Sequence, residues 1–185
     1  MKITLLGDSI RLIGYGKLVP ALLGESFEVW QPKENCRDSK YTLRGICDWK
    51  KDMAGSHIVH WNNGLWDVSD WHGDGVFTPT EKYISNMLRI ANHLLKHYQK
   101  VIFATITPVD PTNPVIKNED IAHYNAVLVP RLREKGIVIN DLHGLMLKNI
   151  PAYIRADDHT HLTDEGTRAC AAQVADVIRA IAKKL

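Results

Sequence analysis

No stretch of this 185-residue chain is apolar for long enough to cross a membrane; a helical span needs about 20 such residues in a row. A surplus of charge of one sign is missing too: 23 Lys and Arg stand against 21 Asp and Glu, a formal net charge of +2. That balance gives no electrostatic case for nucleic acid or an anionic membrane as the partner. Cysteine is scarce. Cys36, Cys47 and Cys170 are an odd set without Cys-x-x-Cys spacing, which argues against a disulfide framework and a zinc site. The first residues, Met1 to Ser9, hold too few apolar side chains for a signal-peptide core. The expectation is a cytoplasmic chain, or an exported one whose leader is already removed. Repeats, low-complexity tracts and linkers are absent as well, which predicts one domain over residues 1–185.

What is present is a globular composition, 45% hydrophobic and 24% charged, which excludes a mainly disordered chain. At this length one core buries about 70% of the unfolded surface, so neither disulfide nor metal is needed for stability. Short β-type runs alternate with longer helical patterns. Ile3–Leu6, Phe27–Trp30, Ile58–Trp61, Val101–Ile106 and Ile137–Asp141 read as strands. Runs this apolar suit strands covered on both faces, as in a parallel sheet. Helical patterns fall at Leu12–Leu23, interrupted by Pro20, and at Thr42–Lys51, Pro79–Tyr98, Glu119–Glu134 and Thr163–Lys184. Thr78 is the expected cap of the third, with Pro79 at its first position. The alternation predicts an α/β fold: a three-layer α/β/α sandwich on a five-stranded parallel sheet. The longest patternless stretches are Gly64–Gly75 and Pro108–Lys117. Both leave carboxyl ends of strands, where such sheets build their sites.

Gly7-Asp8-Ser9 stands directly after the first strand. A serine there projects from the sheet edge, and its N–H at a helix start favours developing negative charge. Helix capping is the plainer use of the same residues. Near the other end, Asp158 precedes His161 by three residues, just ahead of the last helix. A serine nucleophile needs a base, and the base needs a carboxylate to fix its tautomer. One loop with this spacing supplies both. Asp157, Asp158, His159 and His161 also have the donor chemistry of a metal site, although no matching cluster occurs elsewhere. After the third strand comes His60-Trp61-Asn62-Asn63-Gly64-Leu65-Trp66-Asp67. An asparagine amide at that edge can donate to an oxyanion, while Asn-Gly is also a turn signal. Trp61, Trp66 and Trp71 crowd this loop, either as a wall for a sugar or acyl group or as packing beneath the loop.

Together these blocks resemble the GDSL (SGNH) hydrolase superfamily, with Gly7-Asp8-Ser9 first, Asn35–Thr42 and Asn62–Asp67 in the middle, and Asp158–His161 last. The run Asp158-His159-Thr160-His161-Leu162-Thr163 is similar to the family's D-G-x-H-P-T pattern with two substitutions. The resemblance implies a flavodoxin-like fold and ester hydrolysis through an acyl-enzyme, with no metal or organic cofactor. It makes Ser9 the nucleophile, His161 the base and Asp158 its orienting acid, with Asp157 in reserve. The oxyanion hole falls to Ser9, Ser39 and Asn63. Asn63 matches the third-block asparagine better than Asn62 does, and Ser39 stands in for a second-block glycine that has no clear equivalent. Asp8, Asn62 and Trp66 are the expected substrate contacts. The expected partner is a small-molecule ester, with deacetylation of a carbohydrate-like alcohol as the first reading. A lipase-like or thioester hydrolase for longer acyl chains is the alternative, and a non-catalytic flavodoxin-like binding module the third. A flavin or nucleotide site is disfavoured because the loop after the first strand lacks G-x-G-x-x-G.

Overall fold

Five short apolar runs form one parallel sheet in the computed structural model, which describes residues 1–185. The strands are β1 (Lys2–Leu6), β2 (Glu28–Trp30), β3 (Ile58–Trp61), β4 (Lys100–Ala104) and β5 (Val138–Asn140). Their spatial order is β2-β1-β3-β4-β5, and every neighbouring pair is parallel. The central strands β1, β3 and β4 are buried along nearly their whole length. A strand with helices on both faces has no solvent side, which is why these runs do not alternate.

The helices are α1 (Val19–Leu23), α2 (Ser39–Asp48), α3 (Lys50–Met53), α4 (Thr80–His97), α5 (Asn118–Glu134), α6 (Leu142–Leu147), α7 (Ile150–Tyr153) and α8 (Asp164–Ala182). α2, α4 and α5 pack together, while α1, α6 and α7 each pack on α8. The result is the expected three-layer sandwich. The strand order reverses direction between β1 and β3, and an open parallel sheet has its crevice at such a switch point. Leu6 pairs with Trp61, so the segments leaving β1 and β3 emerge side by side.

Three local expectations change. The pattern over Leu12–Leu23 is broken into a π turn (Ile10–Gly14), a 3₁₀ turn (Tyr15–Lys17) and α1, which has Pro20 within its first turn. Proline costs little there, because first-turn N–H groups lack helical partners anyway. Thr78 does not cap α4; Pro79 occupies the N-cap. The backbone of Thr78 is committed elsewhere, its N–H to the carbonyl of Asp67 and its own carbonyl to the hydroxyl of Tyr124. Finally, α6 and α7 are too short to show a period in the sequence.

Candidate active site

The turn after β1 is held from below. Gly7 passes so close to Asn62 that an added Cβ would meet its Oδ1 at 2.0 Å. Only glycine fits that approach. Asp8 is buried, and its Oδ1 accepts from the N–H of Ile10 at 3.0 Å and from Asn62 Nδ2 at 2.9 Å. Burial raises the Asp8 carboxyl, against the pull of those two donors and of the Arg11 charge. The Tyr15 hydroxyl donates to Asn62 Oδ1 at 2.6 Å, which fixes the orientation of the amide. Ser9 rides on this platform, half-buried, with neither its N–H nor its Oγ bonded to protein.

Arg11, fully buried, ties the same turn to the loop after β2. Its guanidinium donates to the carbonyls of Gly7, Pro32 and Glu34 at 3.0, 2.8 and 2.7 Å. Nothing in the sequence pattern marked this arginine, because its acceptors are backbone carbonyls contributed by another loop.

His161 and Asp158 meet as their spacing suggested. His161 Nδ1 lies 3.0 Å from Asp158 Oδ2. The other carboxylate oxygen accepts from the N–H groups of Thr160 and His161 at 3.0 and 2.8 Å. Burial pushes the Asp158 carboxyl up, but these donors outweigh it and hold the group at about 2. His161 Nε2 makes no hydrogen bond within the protein. Asp157 turns away into an ion pair with Arg155, whose Nε also lies 3.4 Å from Asp158 Oδ2. Thr163 caps α8 through Gly166 N–H at 3.0 Å and donates to the carbonyl of Ala152, pinning the chain just past His161.

Ser9 and His161 together line two clefts. One, of about 740 Å³, is walled by Leu65, Trp66, Trp71, Pro114 and Ile116, with Asn35 and His159 as polar members. Its walls come from both patternless loops. The other, of about 600 Å³, runs past Ile13 and Leu18 towards Lys17, Arg155 and Arg168. The tryptophans divide between the roles the sequence left open. Trp61 is fully buried against Phe103, whereas Trp66 and Trp71 are 40% and 66% exposed at the first cleft.

Several expected roles do not match the geometry. Ser39 is fully buried and gives both its N–H (3.0 Å) and its hydroxyl (2.7 Å) to the Asp67 carboxylate. An N–H bound to a carboxylate is not free for an oxyanion. Asn63 is tied elsewhere: its Nδ2 donates one hydrogen to the carbonyl of Arg37 at 2.8 Å, and its Oδ1 accepts from Trp61 Nε1 at 2.7 Å. Asn62, bonded to the residue just before Ser9, is the asparagine beside the nucleophile, and one of its amide hydrogens stays unbonded. Asp8 is a buried support of the turn, which removes it as a direct substrate contact, while Asn62 keeps one amide hydrogen without a partner. Trp66 keeps its place in the cleft. Arg37 has φ 50°, a left-handed backbone that glycine adopts freely, and it directly precedes Asp38, the N-cap of α2. The N–H of Arg37 goes to Asn35 Oδ1 at 2.7 Å, while that of Asp38 has no partner.

As for a metal, the four acidic and histidine residues of the last loop separate into pairs, with Asp158 against His161. Asp157 pairs with Arg155 and His159 with Asp110, and no group of three such side chains forms a ligand set.

No protein-family model matches the sequence, and no curated protein matches it either. Solved structures do match. An acetyl xylan esterase aligns at TM-score 0.77 and 23% identity, over 96% of this chain and 100% of that one. A lipase/acylhydrolase from Enterococcus faecalis aligns at 0.80 and 17%, over 97% and 95%. A GDSL-like lipase from Bacteroides thetaiotaomicron aligns at 0.77 and 19%, over 100% and 89%. At such identities the likeness establishes a shared fold, and it spans nearly the whole of each chain.

Proposed function

We propose that this chain is a serine carboxylic-ester hydrolase of the GDSL (SGNH) type. The observation that carries the reading is the meeting of Ser9 and His161 in the same clefts, with Asp158 on the far nitrogen of the imidazole. The names of the structures that share its fold, esterases and acylhydrolases, agree with it.

The chemistry follows from the unoccupied donors and acceptors. With Nδ1 against Asp158, neutral His161 accepts the Ser9 proton at Nε2 as Oγ bonds to the ester carbonyl carbon. The carbonyl electron pair moves onto oxygen, stabilised by the free N–H of Ser9 and the spare amide hydrogen of Asn62. Collapse breaks the bond to the alcohol, which leaves with the proton from His161. Water then attacks the acyl-serine in the reverse roles, giving the acid and restoring Ser9. The Asp158 carboxylate stabilises the imidazolium and keeps its own charge throughout.

For the substrate, we favour a small acyl group, such as acetyl, on a carbohydrate-like alcohol. Trp66 and Trp71 present exposed indoles in a cleft large enough for a sugar ring, and an acetyl xylan esterase is among the fold's relatives. The apolar wall of Leu65, Pro114 and Ile116 also suits a longer acyl chain. A fluorophosphonate label mapped to Ser9, followed by acetyl, butyryl and decanoyl esters of one alcohol, tests both parts. No label at Ser9 sinks the hydrolase reading, and faster turnover of the decanoyl ester sinks the short-acyl preference.

A further inference from the structure

Two residues other than glycine carry left-handed backbones, Arg37 and His159 (φ 59°). His159 stands where the resembled D-G-x-H pattern has glycine. A side chain in that conformation costs about 1–2 kcal/mol relative to glycine, so its presence at an active site calls for a use. At His159 the surroundings supply one. Its N–H donates to the carbonyl of Arg155 at 3.0 Å, and its carbonyl accepts from Asp110 N–H at 3.0 Å and Asn113 Nδ2 at 3.1 Å. The backbone is therefore clamped between the last loop and the loop after β4.

The ring is clamped as well. His159 Nδ1 lies 3.2 Å from Thr112 Oγ1 and 3.5 Å from Asp110 Oδ1. The hydroxyl and N–H of Thr112 both bond to Asp110 and keep its carboxyl below the usual range, so the acceptor stays charged. The second ring nitrogen, Nε2, has no partner in the protein, and His159 lines the aromatic cleft with Ser9, Trp66 and Trp71. A tautomer held from one side leaves the other nitrogen with a defined role towards a ligand.

We propose that His159 is a specificity-determining residue: held by Asp110 and Thr112, it hydrogen-bonds through Nε2 to a ring hydroxyl of a neutral polyol stacked on Trp66 and Trp71. This rests on the hydrolase reading and deepens it by naming the alcohol side of the ester. Neutrality follows from the lining of the cleft, which holds no Lys or Arg to receive a carboxylate or phosphate and includes the carboxylates of Asp157 and Asp158. The stacking partner follows from the exposed indole faces, which bind sugar rings by their apolar C–H surfaces.

The test compares kcat/KM for a monoacetylated methyl pyranoside with free neighbouring hydroxyls against that for phenyl acetate, which lacks them. For His159→Gly the pyranoside-to-phenyl ratio should fall about tenfold, the size of one lost hydrogen bond, and mostly through KM. His159→Gln, whose amide oxygen accepts as Nε2 does, should recover most of the ratio. Asp110→Asn should lower it by a smaller factor. An equal loss on both esters in His159→Gly overturns the proposal and makes the residue merely structural. Loss of fluorophosphonate labelling in that variant overturns it in favour of a second catalytic base. A wild type that hydrolyses neither ester removes the hydrolase reading itself, an outcome separate from an unchanged ratio.

Discussion

At Asp158 and His161 the placement of one carboxylate against two N–H groups and an imidazole decides what each neighbouring residue contributes. Ser9→Ala should lower kcat/KM by ~10⁴-fold or more, because no other hydroxyl replaces the nucleophile. His161→Ala should fall comparably. Asp158→Ala should lose less, since it orients the base without taking its proton, and Asp157→Ala should stay near wild type because its partner is Arg155. Assaying all four variants on phenyl acetate checks the order; an Asp157 variant as impaired as Asp158 would contradict the ion-pair assignment. Asp158, held at about 2, is a carboxylate throughout the mildly acidic range. Protonation of Asp158 therefore contributes no loss of kcat/KM between neutrality and pH 4, and a wild-type loss in that interval that Asp158→Asn abolishes would contradict this.

Elements place these residues by their ends. α8 begins at Thr163, two residues beyond His161, so its cap anchors the catalytic loop. Thr163→Ala removes the bond to Gly166 N–H and should cost about 1 kcal/mol, a fall in Tm of about 2–4 °C for a chain of this size. Calorimetry reads it directly. The β1 turn depends on a longer-range tie. Arg11→Met leaves the carbonyls of Gly7, Pro32 and Glu34 without their donor in a buried setting, so the loss should be about 3–5 kcal/mol by urea unfolding. A change below 1 kcal/mol would mean that water replaces the guanidinium there. The sequence displayed α8 and its cap plainly, because cap and helix are contiguous. It hid the Arg11 tie, which joins segments about twenty residues apart.

At the scale of the molecule, one buried acid links the loop after β3 to α2. Asp67 accepts from the N–H and hydroxyl of Ser39, and Asn86 Nδ2 donates to that hydroxyl at 3.0 Å. Burial is the largest influence and drives the Asp67 carboxyl up to about 7, despite the donors from Ser39 and Thr78. An acid raised in the folded state binds its proton more tightly there than in the unfolded chain. Its contribution therefore favours folding at low pH and is lost as pH rises from about 4, the unfolded value, through about 7. Asp67→Asn should flatten that dependence. Relative to wild type, the variant should gain stability between pH 4.5 and pH 8 in urea titrations. A difference between the two proteins that does not change with pH would show that Asp67 titrates alike in both states.

How far the sequence reached depended on the range of the interactions. Apolar runs and their alternation with helical periods determined the sheet and its layers, and the three-residue spacing of Asp158 and His161 determined their contact. Each of those signals lies within a few residues of its effect. Tertiary structure alone joined Asn62 to Asp8 and Asn63 to Arg37, tied Ser39 to Asp67, and brought Asp110 to His159. Hydrogen-bond partners supplied by separate loops are invisible to local spacing. It also identified Arg37 as the left-handed residue of the second block, since backbone sign at a non-glycine position is imposed by the surrounding fold. A single-residue choice at the end of β3 rests on which amide faces the buried Asp8. That is fixed only when Leu6 and Trp61 come into register, because the pairing of β1 with β3 sets the turns they lead into side by side.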